Sequence, residues 1–172
     1  MLCLRLAVSF KPELKTNRSS KAMTEWKLLT FDQLNTFQLY QLLKLRVDIF
    51  VVEQTCPYPE LDNKDLNEGV YQLLGYQGGE LVACARLLPQ GISFDNVSIG
   101  RIATKQEARG SGLGHELMRV ALQHCSELWP EQIIDIQAQE HLQAFYQQHG
   151  FIPFSESYLE DDIPHIDMRL AK

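Results

Sequence analysis

The period of the apolar positions changes several times along the chain, and each change marks an element. "EWKLLTF" (25–31) reads as a first strand. Over 31–54 the period becomes helical: Leu34, Phe37, Leu42, Leu45 and Ile49 recur on one face, with Asp32 placed as the N-cap. "TCPYPELDNKDLNEG" (55–69), with two prolines and scattered acids, predicts a loop. Two strand-like runs flank Gly78-Gly79 in 70–88 and predict a hairpin with a primed turn. "VSIGRIAT" (97–104) is a further strand. Leu113, Leu117, Val120, Ala121, Cys125 and Leu128 then share one face of a helix that Trp129-Pro130 stops. "IIDIQA" (133–138) reads as a strand and "HLQAFYQQH" (141–149) as a short helix closed by Gly150. "FIPF" and "HIDMRLA" are final strands joined by the acidic loop "SESYLEDDIP". A hairpin meander followed by alternating helices and strands predicts one α/β domain: a mixed sheet with helices on both faces.

Composition narrows this without changing it. The 172 residues suffice for one domain with a real core, and 45% hydrophobic with 22% charged residues is ordinary globular content. Residues 1–22 are basic and weakly patterned, so they read as a loosely ordered extension before a domain spanning 23–172. No apolar run reaches membrane-span length, and Arg5 breaks the N-terminal apolar stretch, so neither a membrane partner nor a signal peptide is expected. A net charge of −6 and no Lys/Arg cluster argue against a nucleic-acid partner. Cys3, Cys56, Cys84 and Cys125 form no paired motif, so no metal is expected, and reduced thiols in a cytoplasmic protein are.

The chemistry lies in "EARGSGLGHELM" (107–118), where three glycines precede a helix. The first turn of a helix leaves N–H groups without partners, and the macrodipole adds partial positive charge there. Glycines let a bulky anion approach those amides without meeting Cβ atoms, and Arg109 adds a forked cationic donor. A phosphate-binding P-loop is disfavoured because Leu113-Gly114-His115 follows Gly112. A dinucleotide turn is disfavoured because the spacing is G-x-G-x-G, about a hundred residues into the chain.

Arg109, Gly112 and Gly114 satisfy R/Q-x-x-G-x-G/A, which resembles the acyl-CoA loop of the GCN5-related N-acetyltransferases, the GNAT superfamily. "RIATKQEARGSGLG" has that family's strand, spacer and loop order, although Gln106 stands where a proline is common. "AFYQQHGF" resembles its next segment, with Tyr146 five positions before Phe151. "LRVDIFVVEQTCPYPELDNKDL" and "DDIPHIDM" resemble the ElaA-type branch, and the likeness covers roughly residues 24–170.

The resemblance implies a GNAT fold, mostly antiparallel, with a V-shaped splay between two central parallel strands, "RIAT" and "IIDIQA". It implies that the main chain at Ile102, Ala103 and Thr104 holds the pantetheine arm of acetyl-CoA, with an N–H near Ile102 as oxyanion donor. It also implies that Arg109, Gly110, Ser111, Gly112, Leu113 and Gly114 hold the pyrophosphate. The activity implied is N-acetyl transfer to a primary amine, either a small molecule or a lysine side chain, by direct attack.

Such a reaction needs a deprotonated amine, a stabilised oxyanion and a proton for the leaving thiolate. Tyr146, at the family's tyrosine position, is the expected acid. The strand over 98–104 carries no Asp or Glu, so the base comes from elsewhere: His165 behind Pro164, or Glu53 near the end of the first long helix. Tyr58 and Asp62 are further loop candidates, whereas Arg46 and Gln54 fit pocket organisation and His141 a helix cap. Cys56 reads as a loop thiol, since nothing in sequence lowers its pKa.

Two further expectations concern partners. Glu60, Asp62, Asp65 and Glu68, with Glu156, Glu160, Asp161 and Asp162, favour a cationic acceptor or are simply solvated. An exposed last strand would allow a homodimer. The competing functional class is an acyl-CoA sensor or adaptor that keeps the fold without turnover.

Overall fold

The computed structural model describes residues 23–171, so the basic extension lies outside the described residues. Strand β1 is Glu25–Thr30. Helix α1, Thr36–Arg46, starts later than the periodicity predicts. Asp32 sits in a 3-10 turn, Phe31–Gln33. The cap is Asn35, whose side chain accepts from the Gln38 N–H at 2.9 Å while Gln38 Oε1 accepts from the Asn35 N–H at 3.1 Å. The helix then widens into a π-helical segment, Val47–Glu53. Leu42, Leu45 and Ile49 are buried as the stripe requires, but Phe37, in the first turn, is exposed.

β2 (Tyr71–Gln77) and β3 (Glu80–Leu88) form the expected hairpin. Gly78 and Gly79 have φ of 58° and 84°, and Gln77 pairs with Glu80 across a two-residue primed turn. β4 (Val97–Thr104) precedes α2 (Leu113–Leu128), whose predicted stripe from Leu113 to Cys125 is buried, with Met118 added to it. Fully burying each large apolar side chain contributes roughly 1.5–3 kcal/mol. β5 (Ile134–Gln139), α3 (Gln143–Gln147), β6 (Ile152–Pro153), β7 (Tyr158–Glu160) and β8 (Ile163–Leu170) complete the domain. The segment expected as an acidic loop is thus partly a hairpin. Asp161 and Asp162 take φ of 48° and 62°, and Glu160 pairs with Ile163.

The sheet order is β1-β2-β3-β4-β5-β8-β6, with β7 also on β8. The last strand is therefore no free edge: β5 lies on one side of it, and β6 and β7 on the other. The expected route to a homodimer through that strand is closed. Two cores form, one under α2 and one under α1, so helices cover both faces. Among the described residues no helix is long and apolar enough to cross a membrane.

β4 and β5 are parallel and paired only at Val97–Ile134 and Ser98–Asp135, after which the ladder stops. Buried Asp135 pins the closed end. Its carboxylate accepts from Arg169 Nε at 2.7 Å, Arg169 Nη2 at 2.9 Å and Asn96 Nδ2 at 2.9 Å. Beyond it the two strands part as the V-shaped splay predicts.

Candidate active site

The splay opens into a cleft of about 610 Å³ that exposes main chain of β4 and β5 with no partner across the gap. An unpaired strand edge presents N–H and C=O groups at regular spacing, so an amide-bearing ligand can pair with it as an added strand does. Ser98, Gly100 and Ile102 line the cleft from β4, and Gln137 and Gln139 from β5. Ala103, by contrast, packs its side chain into the core under α1.

A bulge breaks β4 where it faces the cleft. Cys84 pairs with Ala103 and Arg86 with Gly100, so two residues, Arg101 and Ile102, oppose Ala85 alone. Arg101 has a φ of 51°, an uncommon backbone for a side chain of its size. Its guanidinium then reaches Glu60 Oε1 at 2.9 Å and Asp62 Oδ2 at 3.3 Å.

At the end of β4 the chain enters the glycine turn. Gly110 and Gly112 have φ of 79° and 85°, and a Cβ built on either would meet nothing within 4 Å. The first α2 bond runs from Glu116 N–H to Gly112 C=O, and the N–H groups of 110–115 have no partner among the described residues. Open space in front of free amides and a helix N-terminus is what a diphosphate needs, so these residues fit the expected group. Gly114 is different: its backbone is not left-handed, and a Cβ there would make ordinary contact with Phe145 at 3.7 Å. Leu113 adds its amide only, since its side chain is core, and the Ser111 hydroxyl donates to Ala108 C=O at 2.9 Å.

Arg109 is engaged rather than waiting. It holds Glu53 through two hydrogen bonds, 2.7 Å and 2.9 Å, and donates from Nε to Thr104 C=O at 3.1 Å. Glu53 therefore stands beside the glycine turn, outside the residues lining the cleft.

Tyr146 and His165 do line the cleft, and the fold brings them there from α3 and β8. The Tyr146 ring packs edge-on against Phe145 and Phe151 and is 6% exposed, while its hydroxyl has no partner among the described residues. Burial pushes the phenol up to about 12, so it stays protonated at neutral pH. His165 Nδ1 lies 2.8 Å from Ile163 C=O. A carbonyl only accepts, so Nδ1 is the donor in this contact, and Nε2 is the ring nitrogen left outside it. Tyr158 stacks on that ring, its centroid 6.4 Å away.

The sequence did not disclose a buried network on the α1 side. Arg46, Arg86 and Arg101 interlock with Glu60, Asp62 and Asp65, three cations against three carboxylates. Arg46 is fully buried and bonds both Glu60 and Asp65. Arg86 grips Asp62 with two bonds of 2.7 Å. Burial opposes the Asp62 carboxylate, but the Arg86 hydrogen bond and charge outweigh it and hold the acid well below the usual carboxylate range. Asp65 is lowered in the same way, with Arg46 and Arg86 overcoming its burial. Tyr58 donates to Glu60. Asp62 and Tyr58, expected as base candidates, are therefore parts of a neutralised scaffold in the wall of the cleft. Glu60, Asp62 and Asp65 likewise leave the set of carboxylates open to a cationic acceptor.

Gln54 Oε1 accepts from Gln139 Nε2 at 3.1 Å and ties the loop after the π-helical segment to β5. Cys56 is buried beside the cleft, 3.7 Å from Asp161 C=O. His141 lies in a 3-10 turn, Glu140–Leu142, ahead of α3. Among the described residues no group of three or more His, Cys, Asp or Glu is placed to hold a metal ion.

This arrangement agrees with comparisons to known proteins. The family described as an acetyltransferase (GNAT) domain matches residues 47–172. Protein ElaA of Escherichia coli is 45% identical over 146 residues, 85% of this chain and 95% of that protein. The crystal structure of an acyl-CoA N-acyltransferase from Pseudomonas aeruginosa superposes with a TM-score of 0.83 at 45% identity, covering 87% of this chain and 100% of that one. The crystal structure of E. coli ElaA gives 0.82 at 44% identity, covering 86% and 99%. With its short parallel pair, splayed strands and helices on both faces, the chain belongs to the GNAT acetyltransferase family and is ElaA-like.

Proposed function

We propose that the protein is an acyl-CoA-dependent N-acyltransferase that moves acetyl from acetyl-CoA to a primary amine within one ternary complex, in the cytoplasm. The observation that carries the reading is the run of unpaired main chain along β4 leading directly into the free amides of 110–115. The unpaired main chain suits the amides of a pantetheine arm, and the free amides suit its diphosphate.

The thioester supplies an activated acyl carbon. The chain's residues do the rest. The N–H groups of 110–115 hold the phosphates, and the β4 main chain from Ile102 to Thr104 orients the arm. A main-chain N–H at the Ile102 bulge takes negative charge from the acyl oxygen. His165 Nε2 accepts the proton of the attacking amine as the N–C bond forms and the C–S bond breaks. The Tyr146 hydroxyl gives its proton to the departing sulfur, and solvent restores both groups. Glu53, held by Arg109, is assigned no proton in this scheme.

The test is a panel of amines with acetyl-CoA, followed by release of free thiol. Turnover that collapses in Tyr146→Phe supports the reading. Tight CoA binding with no turnover on any amine overturns it in favour of a sensor.

A further inference from the structure

We infer that the acceptor is a diamine, or an amine bearing a second fixed cation, whose non-reacting ammonium seats on the wall formed by Glu160 and Asp161. The inference rests on the acyltransferase reading and names its substrate class.

The two walls of the cleft differ in charge balance. On the α1 side, every carboxylate of the network is matched by an arginine, and the cation left over is Lys64, whose ammonium meets only the Ser93 hydroxyl among the described residues, at 2.9 Å. On the β7–β8 side stand Glu160, Asp161 and Asp167, none with a cationic partner among the described residues. Glu160 accepts from Gln137, and Asp167 accepts from the Tyr158 hydroxyl at 2.6 Å. Asp161 has no side-chain partner there. The same cavity is lined by Tyr146, a side chain only 6% exposed whose hydroxyl has no partner among the described residues.

A lone ammonium bound by carboxylates gains nothing for this reaction. Negative neighbours favour its charged form, and only the neutral amine attacks. A second cation escapes the conflict, because it stays charged throughout and its binding is uniform, lowering KM and leaving kcat alone. Lys64 repels a cation from the opposite wall, which sets the direction: one nitrogen between Tyr146 and His165, the other at Glu160 and Asp161. Asp167 is less available, since Tyr158 already donates to it.

The experiment uses the full chain with acetyl-CoA and compares 1-aminobutane, 1,4-diaminobutane, 4-aminobutanoate and a lysine-containing peptide. The diamine is expected to show a KM about tenfold below that of the monoamine at similar kcat, with the amino acid poorest. Added salt is expected to shrink the gap. In Glu160→Gln/Asp161→Asn, checked for an unchanged melting temperature, the ratio of the two KM values is expected to fall toward one. If that variant unfolds, the salt series on the unaltered protein decides the question. Equal KM values for mono- and diamine, a ratio indifferent to salt, or a peptide preferred over every diamine overturns the inference alone. No turnover on any amine overturns the acyltransferase reading and this inference with it.

Discussion

Arg109 and Glu53 grip each other through a fork of 2.7 Å and 2.9 Å that joins the glycine turn to the end of the π-helical segment. In sequence the two lie far apart and read as parts of different machinery, a phosphate donor and a base. Because both are partly exposed, the pair is worth at most about 1 kcal/mol to the fold. Its meaning is competition. Arg109 reaches an incoming phosphate only by sharing or leaving Glu53.

Glu53→Gln separates the two roles. The expected result is CoA binding tightened a few-fold by titration calorimetry, with kcat within about twofold. A fall in kcat of roughly a hundredfold or more would make Glu53 the base after all.

Tyr146→Phe removes a hydroxyl that contacts no described residue, so the melting temperature is expected to stay within about 2 °C while kcat drops roughly 10²–10⁴-fold. The pH profile carries a second signature. With the phenol pushed up to about 12, its loss of a proton lies above any ordinary assay pH. Stopped-flow rates are therefore expected to show no alkaline decline from this group below about pH 10.

Gly112 and Gly114 look equivalent in sequence and differ in backbone. Gly112→Ala places a Cβ at a φ of 85°, which costs about 1 kcal/mol in urea unfolding, and the same Cβ projects into the open space before the amides. CoA affinity is expected to fall by more than that stability loss accounts for. Gly114→Ala meets Phe145 at an ordinary 3.7 Å and is expected to change both by less than half as much.

Acid stability follows from Asp62 and Asp65. Their pKa values are depressed in the folded chain and ordinary, near 4, in the unfolded one. Below about pH 4 the unfolded state binds more protons, so stability rises with pH through that window and is level with respect to these groups above it. Thermal unfolding between pH 2 and 7 is expected to show the loss on the acid side, with a shallower slope in Asp65→Asn.

Breaking the network from its centre is expected to be severe. Arg46→Met leaves three carboxylates with only Arg86 and Arg101 to match them in the interior, and unfolding in urea is expected to show a loss of about 3–5 kcal/mol.

What sequence disclosed was local. The α2 stripe, the Gly78-Gly79 hairpin and the glycine turn each write their geometry into a few adjacent residues. Asn35 was missed as a cap because Asp32 offered the same chemistry three residues earlier, and only the capping box with Gln38 tells them apart. The β7–β8 turn was hidden because two aspartates, not glycines, take the left-handed backbone. The arginine–carboxylate network was illegible for a different reason: its bonds span 14 to 41 positions, and only the folded sheet brings them together. Glu60 and Asp62 read as loop acids, although the β4 bulge delivers Arg101 to both.

The two rungs at Val97–Ile134 and Ser98–Asp135 join a four-stranded half of the sheet, β1 to β4, to a second half built by β5 and its successors. Along that seam the main-chain stitching is left incomplete, so the proposed occupant, with its own peptide-like groups, would add itself as a supernumerary strand. Loading the cleft then alters mechanics as well as chemistry: slowed amide exchange at 99–104 would report the seam being sewn shut, with the substrate itself as the thread.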